Sequence, residues 1–439
     1  MEDKRIPPLR YIRLRMIALC ATLALAPALL PRSATAGDTD DWVARALLLQ
    51  EQLDRDAPIA QALWIGTHNS YNNTQNSVAP DYNQQLSLSN QLRQGVRELV
   101  LDVHWYNHEL RLCHGDSNHI GCAVEDRRFK AGLRDIHDFL DKYPESVIFL
   151  KIEGEFGKHE NRFVNEIEDA LGTKYVYTAS DAYPGASGCQ HLDMFKTTKA
   201  AIRKAGKNVI ILVMNNKDVC DDKGFARTVF AGVVHVDGKK DAKLQKVKTV
   251  SDCQALSAAV HRKELTRVFD SRTKRNVATK FEGSVFLEAR HIDGFLSCGL
   301  NIFEMFNYKG DMGDMKERFV WSWDKEGSEP SDKGRCAVVS GTTNRFRAVA
   351  CADAASAACR KLNGDSAQWC VTRKNAAAQH DALCLAECGM GYEFAAPRNK
   401  AELDRLVSAR ANKGLTSDVR INYTRGDEGS SWRATLGSN

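Results

Sequence analysis

No segment of this 439-residue chain is apolar for long enough to read as a membrane span. Its longest apolar run, Met16 to Leu30, covers 15 residues and contains Pro27, against roughly 20 residues for a bilayer-crossing helix. An excess of one charge is missing as well. Lys and Arg number 61 and Asp and Glu 56, a net of +5. Residues 1–36 hold six basic and two acidic side chains, a net of +4, so the remainder carries about +1. That balance lacks the basic footprint of a nucleic-acid binder, and no nucleic-acid partner is expected. Low-complexity tracts are absent too.

What stands at the N-terminus is an export signal. Lys4, Arg5, Arg10, Arg13 and Arg15 precede the apolar run, and Ala34-Thr35-Ala36 follows it as a small-x-small cleavage site. The expectation is a cut after Ala36 and a secreted or periplasmic protein. Cys20 leaves with the signal, so twelve of the 13 cysteines remain. Six lie before residue 320 (Cys113, Cys122, Cys189, Cys220, Cys253, Cys298) and six after it (Cys336, Cys351, Cys359, Cys370, Cys384, Cys388). An even count in each half of an exported chain points to two independent disulfide sets. Zinc competes only through the gap between Cys384 and Cys388, and no matching His pair follows.

Residues 41–61 read as an amphipathic helix. Five near-continuous apolar runs follow: 100–103, 147–152, 209–214, 285–287 and 300–303. Runs of this kind fit strands buried on both faces. Between two of them, Phe163, Val164, Ile167 and Leu171 recur at helical spacing, with Gly172 as the stop. This alternation predicts an α/β fold, a TIM-type (β/α) barrel over residues 37–318. Residues 235–280 are polar and irregular, and eight strands cannot be counted there. From about residue 319 to 439, Cys, Ala and turn residues dominate. A smaller disulfide-rich α+β domain is expected there, anchored by Trp321, Trp323, Trp369 and Trp432.

Chemistry concentrates in the first part. Gly66-Thr67-His68-Asn69-Ser70 directly follows one apolar run, and Leu112-Cys113-His114-Gly115 follows an extended segment. Between them runs Val100-Leu101-Asp102-Val103-His104. Polar groups at the C-terminal ends of barrel strands form the site in such folds. His68, Asn69, Asp102, His104, His114 and Glu153 all fall at such ends or just beyond. Two imidazoles and a carboxylate from successive strands suit acid–base work on a phosphodiester, because one imidazole must be neutral and the other charged near neutral pH. His291 and Asp293 are further candidates to orient His68 or bind substrate.

The stretch from about residue 60 to 155 resembles the X-type catalytic region of phosphatidylinositol-specific phospholipases C. The resemblance rests on Gly66 to Tyr71, Gln91 to Arg97, Leu101-Asp102, Leu112 to Gly115 and Ile148 to Glu153, in that order. It implies that His68 is the general base on a hydroxyl beside the phosphodiester and that His114 is the general acid for the leaving oxygen, with a cyclic phosphate as product. It implies Ca²⁺, or Mg²⁺, on Asn69, Asp102 and Glu153. Val100 stands where calcium-dependent members have a glutamate, so that site is incomplete. Glu98, on the same strand face, does not replace it. Glu155 would reach if the chain bent inward at Gly154. His104 stands where metal-free bacterial members have an arginine. His104, Arg97 and Glu155 are thus assigned to phosphate binding or to supporting the site, Arg97 by ordering the strand start through a carboxylate.

The implied activity is phospholipase C-type cleavage of a phospholipid or other phosphodiester, phosphatidylinositol above all, with a membrane surface as a further partner. No hydrophobic rim loop stands out in the sequence. A glycerophosphodiesterase or sphingomyelinase D-like enzyme is the alternative on the same barrel. Its Glu-x-Asp metal pair is broken by Val100-Leu101-Asp102. A non-catalytic secreted lipid- or glycan-binding protein is the second alternative, favoured by Val100 and His104. The C-terminal region is similar to a C-type-lectin-like domain with its halves in reversed order. Glu329-Pro330 is followed by Ser331 where the sugar-binding signature has Asn. That resemblance implies a Cys336–Cys351 bridge and a disulfide-braced packing or adhesion module, with a glycan ligand as the lesser alternative. Cys113 and Cys122 would close a short loop beside His114.

Overall fold

In the computed structural model the described residues are 41–439, except 77–81, 117, 187–188, 214–222, 232–244, 247–249, 256–265, 270–286, 306–313, 327, 364–365, 427–431 and 435–439. The signal segment 1–36, most of the expected strand 285–287 and the greater part of 235–280 fall outside them.

The first sheet is built from β1 (Trp64–Thr67), β2 (Glu98–Tyr106), β3 (Glu109–Leu112), β4 (Ile148–Glu155), β5 (Val176–Tyr177), β6 (Val209–Val213), β7 (Gln245–Lys246), β8 (Thr266–Phe269) and β9 (Ile302–Met305). Its order is β5-β6-β4-β2-β1-β9-β8-β7, and β3 pairs with β2. Every neighbour along that path is parallel, whereas β3 runs antiparallel to β2. An eight-strand parallel path with helices between its strands is the α/β, TIM-type class expected from the sequence. β7 and β8 place two strands in the polar, irregular stretch 235–280.

The near-continuous apolar strands are explained by two-sided burial. Ile65, Leu99, Leu101, Val103, Ile148, Leu150, Ile152, Ile211 and Phe303 face the helix layer in one core cluster. Trp64, Phe149, Ile210, Leu212 and Ile302, of opposite parity, form a second cluster on the other face. The helix α3 (Phe129–Lys142) shows why the helices dock. It buries Phe129, Gly132, Leu133, Ile136, Phe139 and Leu140, a stripe at helical spacing. The helix α4 (Glu160–Ala170) buries Phe163 and Ile167 and ends before Gly172, which takes φ +85°.

The expected 41–61 helix is shorter: α1 covers Trp42–Gln50. Beyond it, Asp54 turns inward to accept from Leu63 N and Lys199 Nζ, and Pro58 caps a single 3₁₀ turn, so the helical path stops. At Gly154 the anticipated bend is also absent. β4 continues straight to Glu155, and a side chain at Gly154 would collide with the Val103 backbone of β2. Glycine there is required by the close approach of two strands.

The second sheet comprises β10 (Cys336–Val339), β11 (Phe346–Val349), β12 (Ser356–Asn363), β13 (Ser366–Val371), β14 (Glu393–Phe394), β15 (Val419–Arg425) and β16 (Trp432–Ala434). Its order is β11-β10-β15-β12-β13, with β14 on β12 and β16 on β15. Bridges Cys336–Cys351, Cys359–Cys384 and Cys370–Cys388 brace it, while Cys113–Cys122 and Cys253–Cys298 lie in the first half. Each of these pairs stays within its own half of the chain. Such a set fits an extracellular, oxidising environment. Among the described residues no helix is long and apolar enough to cross a membrane.

The two sheets share one compact unit and one large core. Buried Trp321, Trp323 and Trp432 join that core, and Trp369 packs against it half-buried. Gln50 at the end of α1 acts as the hinge pin. It donates to Phe319 O (3.0 Å) and accepts from Trp321 N (3.0 Å) and Ser322 N (3.2 Å). Tyr423 of β15 donates to Leu49 O at 2.7 Å, and Trp42 Nε1 to Glu329 O at 2.8 Å.

Candidate active site

The turn that carries His68 is pinned on every side. His68 N donates to Met305 O of β9 (2.9 Å), and Gln84 Nε2 donates to His68 O (2.6 Å). Ser70 N donates to Val100 O, and Val100 N returns a bond to Ser70 Oγ. Thr67 Oγ1 donates to Gln91 Oε1, whose amide donates to Ser70 O. Asn69 adopts φ +45°, a left-handed turn that Asn tolerates. The Gly-Thr-His-Asn-Ser sequence therefore reads as a clasp between β1, β2 and β9. Gly66 is part of it, since a Cβ there would strike the Glu98 carboxylate.

Side chains of one parity line the sheet face opposite the helices: His68, Glu98, Val100, Asp102, His104, Lys151, Glu153 and Glu304. Asp102 and Glu153 are paired in register, as are His104 and Glu155. His68 Nδ1–H donates to Glu304 Oε1 at 2.9 Å, which leaves Nε2 as the basic nitrogen. Glu304 Oε2 accepts from Lys151 Nζ at 2.9 Å, and Lys151 also lies 3.6 Å from Glu153. Lys151 is 3% exposed and Glu304 1%, so each charge is offset by the other.

Sequence reasoning missed both residues. The available signal was a lone charge inside each apolar strand, Lys151 in 147–152 and Glu304 just past 300–303, where a fully buried ion needs a partner. The orienting role offered to His291 and Asp293 goes to Glu304 instead. Both sit in the helix Ala289–Ser297, and Asp293 pairs with Arg318 at 3.0 Å.

Asp102 is the electrostatic centre. Burial, then the neighbouring Glu153 charge, pushes its carboxyl up to about 6. His114, His68 and a hydrogen bond from Tyr71 pull the other way. Asp102 thus feels the charge of both imidazoles. Tyr71 OH donates to Asp102 Oδ2 at 3.0 Å, and its own pKa rises through burial and the Asp102 charge. Asp102 Oδ1 and Asn69 Oδ1 are buried without a hydrogen-bond partner. Two orphaned hard oxygens of this kind suit a Ca²⁺ or Mg²⁺ ion. Glu153 is half-buried beside them, and Val100 supplies no oxygen. Among the described residues no group of three or more His, Cys, Asp or Glu is arranged as metal ligands.

The remaining assignments separate. His114 is exposed, on the loop closed by Cys113–Cys122. His104 is buried, and burial, His119 and His114 hold its pKa down at about 4. Glu155 is exposed at the end of β4. Arg97 lies at the opposite end of β2, where its guanidinium bonds Glu51 (2.5 Å) and the carbonyls of Leu92 and Val96. Strand direction keeps it away from His68. Glu329 turns both carboxylate oxygens onto its own loop and β11, accepting from Ser331 N and Oγ and from Ala348 N.

A parallel α/β sheet with paired imidazoles and carboxylates at the C-terminal strand ends defines the phosphatidylinositol-specific phospholipase C-like (PI-PLC-like) class. The family model described as the Rv2075c PI-PLC-like domain matches residues 23–308, more than half of the chain, and the protein belongs to that family. The uncharacterized protein Rv2075c of Mycobacterium tuberculosis is 27% identical over 403 residues, 85% of this chain and 78% of its own. A PI-PLC X domain-containing protein of Arabidopsis thaliana is 30% identical over 105 residues, 22% of this chain and 24% of its own. Among solved structures, the phosphatidylinositol-specific phospholipase C of Listeria monocytogenes is similar at 15% identity and a TM-score of 0.42, over 62% of this chain and 98% of that one.

Proposed function

We propose that the protein is an exported phosphodiesterase of phospholipase C type, acting on phosphatidylinositol or a related phosphodiester that carries a neighbouring hydroxyl. The observation that carries this reading is His68 Nδ1 tied to the buried Glu304 at 2.9 Å, on the strand face that also holds Asp102, whose carboxyl feels the charges of His68 and His114. His68 Nε2 takes the proton of the substrate hydroxyl, and that oxygen attacks phosphorus. His114 gives a proton to the oxygen that leaves, and the product is a cyclic phosphate. Glu304 fixes the His68 tautomer and steadies the imidazolium as it forms. Lys151 pairs with the other oxygen of Glu304 at 2.9 Å.

Asn69, Asp102 and Glu153 are the donors that would hold Ca²⁺ or Mg²⁺, and the ion would offset negative charge on the phosphate. The two orphaned oxygens support this. A membrane surface as partner is supported by Ile120, 73% exposed, and Val124, 46% exposed, both just beyond His114. Export is supported by the disulfides, and removal of residues 1–36 by the small-x-small site Ala34-Thr35-Ala36.

The test is turnover of phosphatidylinositol vesicles by the purified protein, with Ca²⁺ or with EDTA. Release of a water-soluble phosphate that His68→Ala abolishes is expected. Turnover that survives His68→Ala would remove the assigned base, and inactivity on every phosphodiester would favour a binding role. Activity retained in EDTA would remove the metal.

A further inference from the structure

His119 lies outside every motif that points to the site, yet its ring stands against the site wall. Its Nδ1 is 3.4 Å from Nδ1 of His104, with the rings edge-on at 87°. His104 is buried on β2, two residues past Asp102, and feels the charge of both His119 and His114. The loop between is built to hold this contact. Cys113–Cys122 closes it, and Asp116 Oδ1 accepts from the backbone N–H groups of Asn118 and Ile120. His119 N donates to Asp116 O, and His119 O accepts from Cys122 N. His119 itself is held at φ +60°, an uncommon conformation for a residue with a side chain. Gly115 packs within reach of both Cys122 Sγ and the His104 ring.

We propose that His119 is a further residue of the substrate site, forming with His104 a two-imidazole clamp that gives one N–H donor to a non-bridging oxygen of the phosphodiester. The proton count favours it. When one Nδ1–H donates to the other Nδ1, the accepting ring must carry its own proton on Nε2. The neutral pair therefore keeps one Nε2–H donor for a ligand, whichever ring donates. Asp116, the carboxylate of the loop, holds its Oδ1 on the backbone N–H groups of Asn118 and Ile120. The clamp rests on the phosphodiesterase reading but is tested apart from turnover.

The experiment uses the full exported chain with ¹⁵N-labelled histidine, titrated with inorganic phosphate and, in a second arm, with the soluble diester glycerophosphoinositol. The imidazole resonances of His104 and His119 should move together, and the diester should bind more tightly than phosphate. His119→Ala should weaken diester binding at least fivefold and raise KM more than it lowers kcat. His119→Asn keeps an N–H donor and tolerates positive φ, and it should recover at least half of the loss. A purely structural role would not give that recovery. Resonances that do not respond to either probe overturn the clamp without needing a folded variant, and so does diester binding by His119→Ala within twofold of wild type. Shifts at both rings without turnover would uphold the clamp and remove the hydrolase. Turnover with no shift would do the reverse.

Discussion

Lys151, Glu304 and His68 form a chain of buried charge that ends in a basic nitrogen, and the energetics of that chain set its tests. Glu304→Gln keeps the size of the side chain but offers His68 a neutral partner that can also present an N–H. The imidazole loses its fixed tautomer and the stabilisation of its charged form, so kcat should fall about 10²–10⁴-fold, with KM changed little, in a steady-state assay. Asp102 makes the opposite demand on stability. Its carboxyl is raised from the ordinary range near 3.8 to about 6, so the folded state holds the proton more tightly than the unfolded chain does. Full stability is present below about pH 4 and is lost as pH rises through about 6. In EDTA, Asp102→Asn should therefore match wild type near pH 4 and exceed it by about 2 kcal/mol above pH 7, read by urea denaturation, while activity falls. His68, His114 and Asp102 were legible because each stands in a motif at a strand end. Lys151 and Glu304 were not singled out, because a charge inside an apolar run looks like noise until its partner, 153 positions away in sequence, is seen beside it.

At the scale of elements, the Cys113–Cys122 loop matters most. It carries His114 and His119 and displays Ile120, so its closure serves placement of the proposed acid more than cohesion of the core. A ten-residue ring contributes about 2–3 kcal/mol by chain entropy. Replacing Cys113 and Cys122 together with Ser should lower the melting temperature modestly and cut activity at least tenfold. The paired replacement of Cys336 and Cys351 should cost comparable stability and leave kcat within twofold, which the same assay and a melting curve would read. The strands β1, β2, β4, β6 and β9 were anticipated from near-continuous apolar runs, since two-sided burial leaves few polar positions. The length of α1 was overread. Its pattern continues past Gln50, but Asp54 is drawn inward by Lys199, a tertiary pairing that local periodicity does not encode.

For the whole molecule, the second sheet is bonded to the barrel through α1. Leu49 accepts from Tyr423 of that sheet, Gln50 and Trp42 bond the segment 319–329 that leads into it, and the tryptophans of residues 321–323 belong to the common core. The composition change near residue 318 marks where the second sheet's material begins, not where burial stops. Scanning calorimetry of the full chain should accordingly show one cooperative transition, whereas two separated transitions would mean that the halves are cored independently.

In the proposed mechanism His68 and His114 are base and acid on one phosphodiester. Phosphorus NMR of the reaction with phosphatidylinositol tests this most directly, because it sees the product of the internal attack. Wild type should produce an inositol cyclic phosphate resonance, and His68→Ala and His114→Ala should each reduce its rate by at least a hundredfold. A non-cyclic phosphate as the first product, or a cyclic product formed at the wild-type rate without either imidazole, would contradict it.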